Sequence, residues 1–290
     1  METILEKLKS NISESSYNQY SRIYKILGLK TINDLDDTAL ILKKIEDKSD
    51  NTKKNYLASI VKLLRIAGNK DELLKEYSKL MNDKIEATKP TNEYNDKQRA
   101  ELMEWSEIES IRDNMLKGIS IFTSRVNYEI LLDWLILCIY TLIPPRRNLD
   151  YYDMKIVSSM DAINDTDNFL VWGKRKLFVF NTYKTKKAYG RQTEEIPTQL
   201  VDAIKLYLSA RKKIALPGND NFLVKYGNMN MEHPNDITRS LNRSLQKKIG
   251  PSMLRHIYLS TKYSKVIKMM ALDAKQMAHS TEQQKEYIKN

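Results

Sequence analysis

Helix breakers are scarce in this chain: eight Gly and seven Pro are spread over 290 residues. An interior Gly costs a helix about 1 kcal/mol and a Pro about 3 kcal/mol relative to Ala, so a chain with so few of either can build long helices. A mainly α architecture is therefore expected. Near residue 20, "SSYNQYSRIYKILG" sets Tyr17, Tyr20, Ile23, Tyr24 and Leu27 on one face and stops at Gly28;. "DNTKKNYLASIVKLLRIAG" repeats the pattern, with Asn51 or Thr52 as cap, an apolar face of Tyr56, Leu57, Ile60, Val61 and Leu64, and Gly68 as stop. Lys53 and Lys54 lie off that face, where a solvated helix surface and a contact to a polyanion are both open readings.

The periodicity then lapses. "NDKIEATKPTNEYNDKQR", residues 82–99, loses its apolar repeat and carries Pro90, so a linker is expected between a helical domain over 1–82 and a second domain over 104–290, with 83–103 as the connection;. Ser106 and Glu109 form a capping-box pattern at the start of the second domain;. The run "LLDWLILCIYTLI" follows, halted by Pro144 and Pro145; it contains Asp133 and is too short for the ~20 residues of a membrane span;. Its Cys138 is the only cysteine, which excludes an internal disulfide and suggests a buried thiol;. With a charged, amphipathic N-terminal stretch in place of a signal core, an intracellular protein, or one active inside an infected cell, is expected.

Between Asn168 and Pro197 the composition shifts to Val, Phe, Tyr and Thr with Gly173 and Gly190 as turn signals, which predicts two or three antiparallel strands;. Helices resume at "TQLVDAIKLYLSARKKI" and "DITRSLNRSLQKKIG"; in the latter, Ile237, Leu241 and Leu245 form one stripe and Arg239, Arg243 and Lys247 another;.

Charge narrows the function. The net charge of +11 is clustered: seven Lys/Arg and no acid from Lys174 to Arg191, five and no acid from Thr238 to Arg255. Two such clusters suit a surface that follows a polyanion. Three His and one Cys give no zinc spacing, and there is no P-loop or G-x-G-x-x-G;. No metal and no cofactor is expected. What remains is a set of cations with a tyrosine, Tyr287, beyond them. Metal-free phosphodiester cleavage needs such a set: a nucleophile, cationic donors for the non-bridging oxygens, and an acid for the leaving oxygen.

"PPRRNLD", "YKTKKAYGRQ", "SMLRHIYLS" and "MAHSTEQQKEYIK" occur in the order and approximate spacing of the tyrosine recombinase (phage-integrase type) catalytic domain. The resemblance runs from Trp105 onward, and the N-terminal helices resemble that family's core-binding domain. The "IPPRR" form and the Lys/Asn/Ile/Tyr-rich composition are similar to integrases carried by large DNA viruses, virophages and related transposons.

The resemblance implies a two-domain clamp on double-stranded DNA, assembling as a tetramer. It implies that Arg147, Lys184, Arg255, His279 and Tyr287 are catalytic, with Tyr287 as nucleophile. Arg146 is the alternative to Arg147, and Asp150 would orient the catalytic arginine. Two arginines just after a helix also suit its C-terminal carbonyls. Ser252 stands where the family has His or Lys, His256 follows Arg255, and Ala278 replaces the usual Gly before His279. Lys186 and Lys187 flank the hairpin lysine; with Lys53, Lys54, Arg239, Arg243 and Lys247 they are the expected DNA contacts. A relaxing, topoisomerase-like enzyme and a DNA-binding protein without catalysis are the alternatives.

Overall fold

The structure is a computed structural model, and it describes residues 2–68, 70–89, 93–214 and 218–288. The chain divides into two compact units, Met1–Glu93 and Tyr94–Asn290.

The N-terminal unit is built of α1 (Glu2–Asn11), α2 (Glu14–Leu27), α3 (Thr38–Lys44), α4 (Asp50–Ala67) and α5 (Asp71–Ala87). The predicted stops hold: Gly28 and Gly68 end α2 and α4 at φ 69° and 70°, in the left-handed region that favours glycine;. The cap of α4 is Ser49, ahead of the expected Asn51 or Thr52, because its side chain accepts the Thr52 N–H;. All five residues of the expected α4 face are buried, packed with Ile23, Tyr24 and Leu27 of α2. Two buried tyrosines satisfy their hydroxyls on main-chain carbonyls, Tyr24 on Ser59 at 2.8 Å and Tyr77 on Leu35 at 3.1 Å;. The expected linker is more helical than its composition suggests. α5 runs on to Ala87, and α6 (Asp96–Glu101) begins with an Asn95/Gln98 capping box, while Pro90 lies outside the described residues.

The second unit continues with α7 (Trp105–Asn114), α8 (Arg125–Thr141) and α9 (Asn148–Tyr151). The predicted Ser106/Glu109 box does not form: α7 starts two residues earlier, with Glu104 at its cap position and no side-chain cap bond. The apolar run becomes α8, whose buried residues from Leu131 to Thr141 form the centre of the core. Burial pushes the Cys138 thiol up to about 12;.

Then come β1 (Lys155–Val157), β2 (Phe169–Trp172), β3 (Lys176–Phe180), α10 (Lys186–Tyr189) and β4 (Gln192–Glu195). The sheet order is β1-β2-β3-β4, with β1 parallel to β2 and the other pairs antiparallel. The sheet is thus mixed, where a purely antiparallel one was expected; β1 precedes the strand-rich stretch and returns by a connection over residues 158–168. Both faces of the sheet are covered: Leu170, Phe178 and Phe180 face the main core, while Phe169, Val171, Leu177 and Val179 pack with Val157 and Ile163;. The unit closes with α11 (Thr198–Ile214), β5 (Val224–Lys225) paired with β6 (Met229–Asn230), α12 (Asn235–Leu245), α13 (Pro251–Gln276) and α14 (Thr281–Tyr287). Among the described residues no helix is long and apolar enough to cross a membrane.

Candidate functional site

Pro144 and Pro145 end α8 and turn the chain, so that the two arginines arrive at the start of α9 and part company there. Arg146 is folded inward. Its Nε donates to Asp150 Oδ2 at 2.9 Å, and one terminal nitrogen donates to Glu194 at 2.8 Å and Gln192 at 2.9 Å. Its guanidinium lies 3.7 Å from the centre of the Phe180 ring and 5.4 Å from that of Tyr183;. Arg147 caps α9 in extended backbone geometry, half-buried, and its guanidinium makes no hydrogen bond or ion pair among the described residues. Of the two, Arg147 therefore has its N–H donors available for a ligand. Asp150 does not bond the Arg147 guanidinium; it takes the guanidinium of Arg146, the alternative left open by the sequence, while the Arg147 charge and backbone N–H also act on its carboxyl. Burial raises the Asp150 carboxyl above the usual range, and the Arg146 and Arg147 charges oppose that;.

Asn148 fixes the backbone next to Arg147. Its amide donates to Pro234 O and Thr238 Oγ1, both at 2.9 Å, and its oxygen accepts from the Tyr140 hydroxyl at 3.3 Å. α9 is thereby tied to α8 and α12. Thr238 in turn sits against Gly250, where an added Cβ would come within 3.2 Å of the Thr238 methyl, so α13 starts hard against α12. Burial holds the Tyr140 hydroxyl well above its ordinary range, with Asp150 adding to that and the Arg255 charge opposing it. The Arg255 charge thus acts on the same tyrosine whose hydroxyl bonds Asn148, the residue after Arg147.

The hairpin reaches the same place. Arg146 stacks on its two aromatic residues, and Asn168 locks its base by donating to Asp150 O (3.0 Å) and Thr182 O (2.9 Å). Lys184 lies in the turn after β3, exposed and without a hydrogen-bond or ion-pair partner among the described residues; Lys187 is likewise exposed. Lys186 donates to Asp165 O at 3.0 Å, and Arg191 binds Asn181 at 2.8 Å and also the Asp165 carboxylate. Ser252 and His256 line an open cleft of about 690 Å³ with Lys97, Glu101, Lys248 and Met253, and the His256 ring stands edge-on to Tyr94 at 6.5 Å. Arg255 is half-buried, and its guanidinium makes no hydrogen bond or ion pair among the described residues.

The tail does not join this group. α13 is a single helix of 26 residues, with Arg255 in its second turn. Twenty-one residues separate Arg255 from Gln276, roughly 32 Å at 1.5 Å per residue;. Ala278 then turns the chain at φ 55°, and the His279 N–H closes the helix on Ala274 O at 3.1 Å;. His279 and Tyr287 do meet, with ring centres 5.8 Å apart, but at the far end of α13; Tyr287 is 68% exposed.

The cation row of α12 is engaged within the chain. Arg239 binds Asp236 at 2.6 Å, and Arg243 grips the buried Asp133 through two bonds at 2.6 and 2.8 Å. Lys247 donates to Leu102 O at 3.1 Å. The expected open row of three phosphate contacts is not what the fold presents, because Asp133, read from the sequence as an interruption of an apolar run, needs a cation. Burial raises its carboxyl despite Arg243 and Ser240. In the N-terminal unit Lys54 bridges Asn51 and Thr88 at 3.0 and 2.9 Å, while the Lys53 ammonium forms no hydrogen bond or ion pair among the described residues.

Sequence reading missed Gln192, Glu194, Asn148 and Tyr140. Polar residues whose task is to hold other polar residues carry no spacing of their own. No family model matches the chain, and no curated protein matches it.

Proposed function

We propose that the chain is a site-specific DNA strand-transfer enzyme of the tyrosine recombinase type. The observation that carries this reading is that Arg146 ties the Arg147 segment to the hairpin that bears Lys184, through Tyr183 and Glu194, while the residue after Arg147 bonds Tyr140, which the Arg255 charge also reaches. Two arginines with unengaged donors can each fork onto the non-bridging oxygens of one phosphate. The Tyr287 hydroxyl releases its proton to water as its oxygen attacks phosphorus; the P–O bond to tyrosine forms and the P–O5′ bond breaks. Lys184 supplies the proton that the leaving 5′-oxygen takes up, and His279 donates to a non-bridging oxygen. Rejoining reverses the steps, so no energy source is consumed.

A nicked duplex that traps the covalent intermediate tests this. Wild-type protein is expected to form a protein–DNA adduct that Tyr287→Phe abolishes; no adduct on the cognate site overturns the reading. Recombination between two sites, as against supercoil relaxation alone, separates a recombinase from a topoisomerase-like enzyme. A second reading is favoured by two observations: Tyr287 stands far from Arg255, and Ser252 replaces a charged residue, as a DNA-binding protein without catalysis would allow. That reading expects cognate binding with no adduct.

A further inference from the structure

α7, α8 and α11 leave a further opening in the surface of the C-terminal unit. Trp134, Cys138 and Leu142 follow one another at four-residue intervals on one side of α8, and Gln199 and Ala203 do the same on α11;. The last turn of α7 and the residues just after it close the third side, and the three segments line an open groove of about 460 Å³. Its floor forms where α8 and α11 each carry a small side chain. Cys138 and Ala203 are 1% and 3% exposed, and neither fills the space that a leucine or tyrosine would take between packed helices. The walls above them are the half-buried Trp134, Leu116 and Leu142.

A cation is built into this groove. The Arg112 side chain is only 11% exposed. Its Nε donates to Asp113 at 2.8 Å and one terminal nitrogen donates to Thr141 Oγ1 at 3.2 Å, while its carbonyl accepts the Trp134 indole N–H at 2.9 Å. These bonds fix the guanidinium beside the indole and occupy the indole's one polar group, so what Trp134 offers the groove is carbon. The other terminal nitrogen of Arg112 has no bond among the described residues. The Arg112 charge also acts on the Cys138 thiol, opposing the rise that burial causes, which places the cation near the floor;. Lys117 is exposed, and its ammonium has no hydrogen bond or ion pair among the described residues. Asp113 is the single acid of the lining, so two cations face one carboxylate.

Apolar walls with a few convergent donors, in a space of a few hundred Å³, are what a small ligand needs. The unengaged donors here are cationic, which selects an anionic head, and the walls select an apolar body behind it. We propose that this groove binds a small hydrophobic acid, its carboxylate or sulfonate on Arg112 and Lys117 and its aromatic body against Trp134, Leu116 and Leu142. A DNA phosphate or a free phosphate has no apolar body to lay on those walls. The site stands apart from the strand-transfer reading, and neither depends on the other.

Titration calorimetry on the full chain tests this with three probes: 2-naphthoate, its neutral counterpart 2-naphthamide, and inorganic phosphate. 2-Naphthoate is expected to saturate a single site. 2-Naphthamide should bind about tenfold more weakly, the worth of one charge-assisted hydrogen bond, and phosphate more weakly still. Lys117→Glu changes an exposed side chain without a partner, so the fold should be unaffected;. It is expected to weaken 2-naphthoate by about tenfold or more and to leave 2-naphthamide unchanged. Ala203→Leu, which fills the gap over the floor, should weaken both naphthalene probes; if that variant fails to fold, Lys117→Glu still decides. Equal affinity for acid and amide would overturn the proposal, as would phosphate binding as tightly as 2-naphthoate. So would 2-naphthoate binding that is indifferent to Lys117→Glu or to a folded Ala203→Leu chain, or no binding at millimolar concentration.

Discussion

Adjacent arginines with the same charge have opposite assignments here, and the difference is measurable. Arg146 neutralises the buried Asp150 and holds β4 and Phe180 to the start of α9. Its loss leaves Asp150 buried without a cation, a cost of about 3 kcal/mol, so urea denaturation of Arg146→Ala should show a clear loss of stability. Arg147→Ala, with no internal partner to strand, should change stability by less than about 0.5 kcal/mol while abolishing the DNA adduct. Reversed results would exchange the two roles. Cys138 gives a second residue-scale test. Its thiol is held at about 12 in the folded chain against an ordinary 9.0. The folded state keeps the proton where the unfolded state would release it, so this group costs no stability below pH 9 and increasingly destabilises as pH rises from there towards 12. At pH 8 the native thiol should stay unreactive to a disulfide reagent and react only as the chain unfolds. The R-x-x-D spacing was legible in "RRNLD", but which arginine the acid holds was not. That depends on the side of α9 each residue occupies and on Gln192 and Glu194, which are distant in sequence.

At the scale of elements, the junction of α13 and α14 is where local preference and structure disagree. Ala278 sits at φ 55°, a conformation that costs an L-residue roughly 1–2 kcal/mol and glycine almost nothing. Ala278→Gly removes that strain at the expense of about 0.4–1 kcal/mol of unfolded-chain entropy. The net expectation is a small gain, visible as slower hydrogen exchange of the α14 amides; faster exchange there would show that the turn is held by something other than its backbone. The same comparison explains which elements sequence reading located. α2, α4 and α8 announce themselves by apolar residues and stop signals, since each buries one face or most of its surface. β1 does not: three half-buried residues carry no alternation long enough to read, and its place at the sheet edge is set by pairing with Phe169–Val171.

For the whole molecule, the +11 charge is a statement about partners rather than about fold;. If the chain binds duplex DNA through its phosphates, the logarithm of affinity should fall linearly with the logarithm of salt, by about 0.9 per phosphate neutralised. A flat response measured by fluorescence anisotropy would remove the nucleic-acid reading altogether. The slope should also be modest for so basic a chain, because Arg239, Arg243 and Arg191 already answer carboxylates of their own. The sequence by itself determined where α2, α4 and α8 run and stop and where strand-forming composition begins, because each of these depends on near neighbours in the chain. Only the tertiary structure decided that Arg146 is bound and Arg147 open, that Asp133 takes a cation from the α12 row, and that Tyr287 lies a helix length from Arg255. Those outcomes are distances between segments. They follow from how buried charges find partners and how faces pack, which the order of residues does not display.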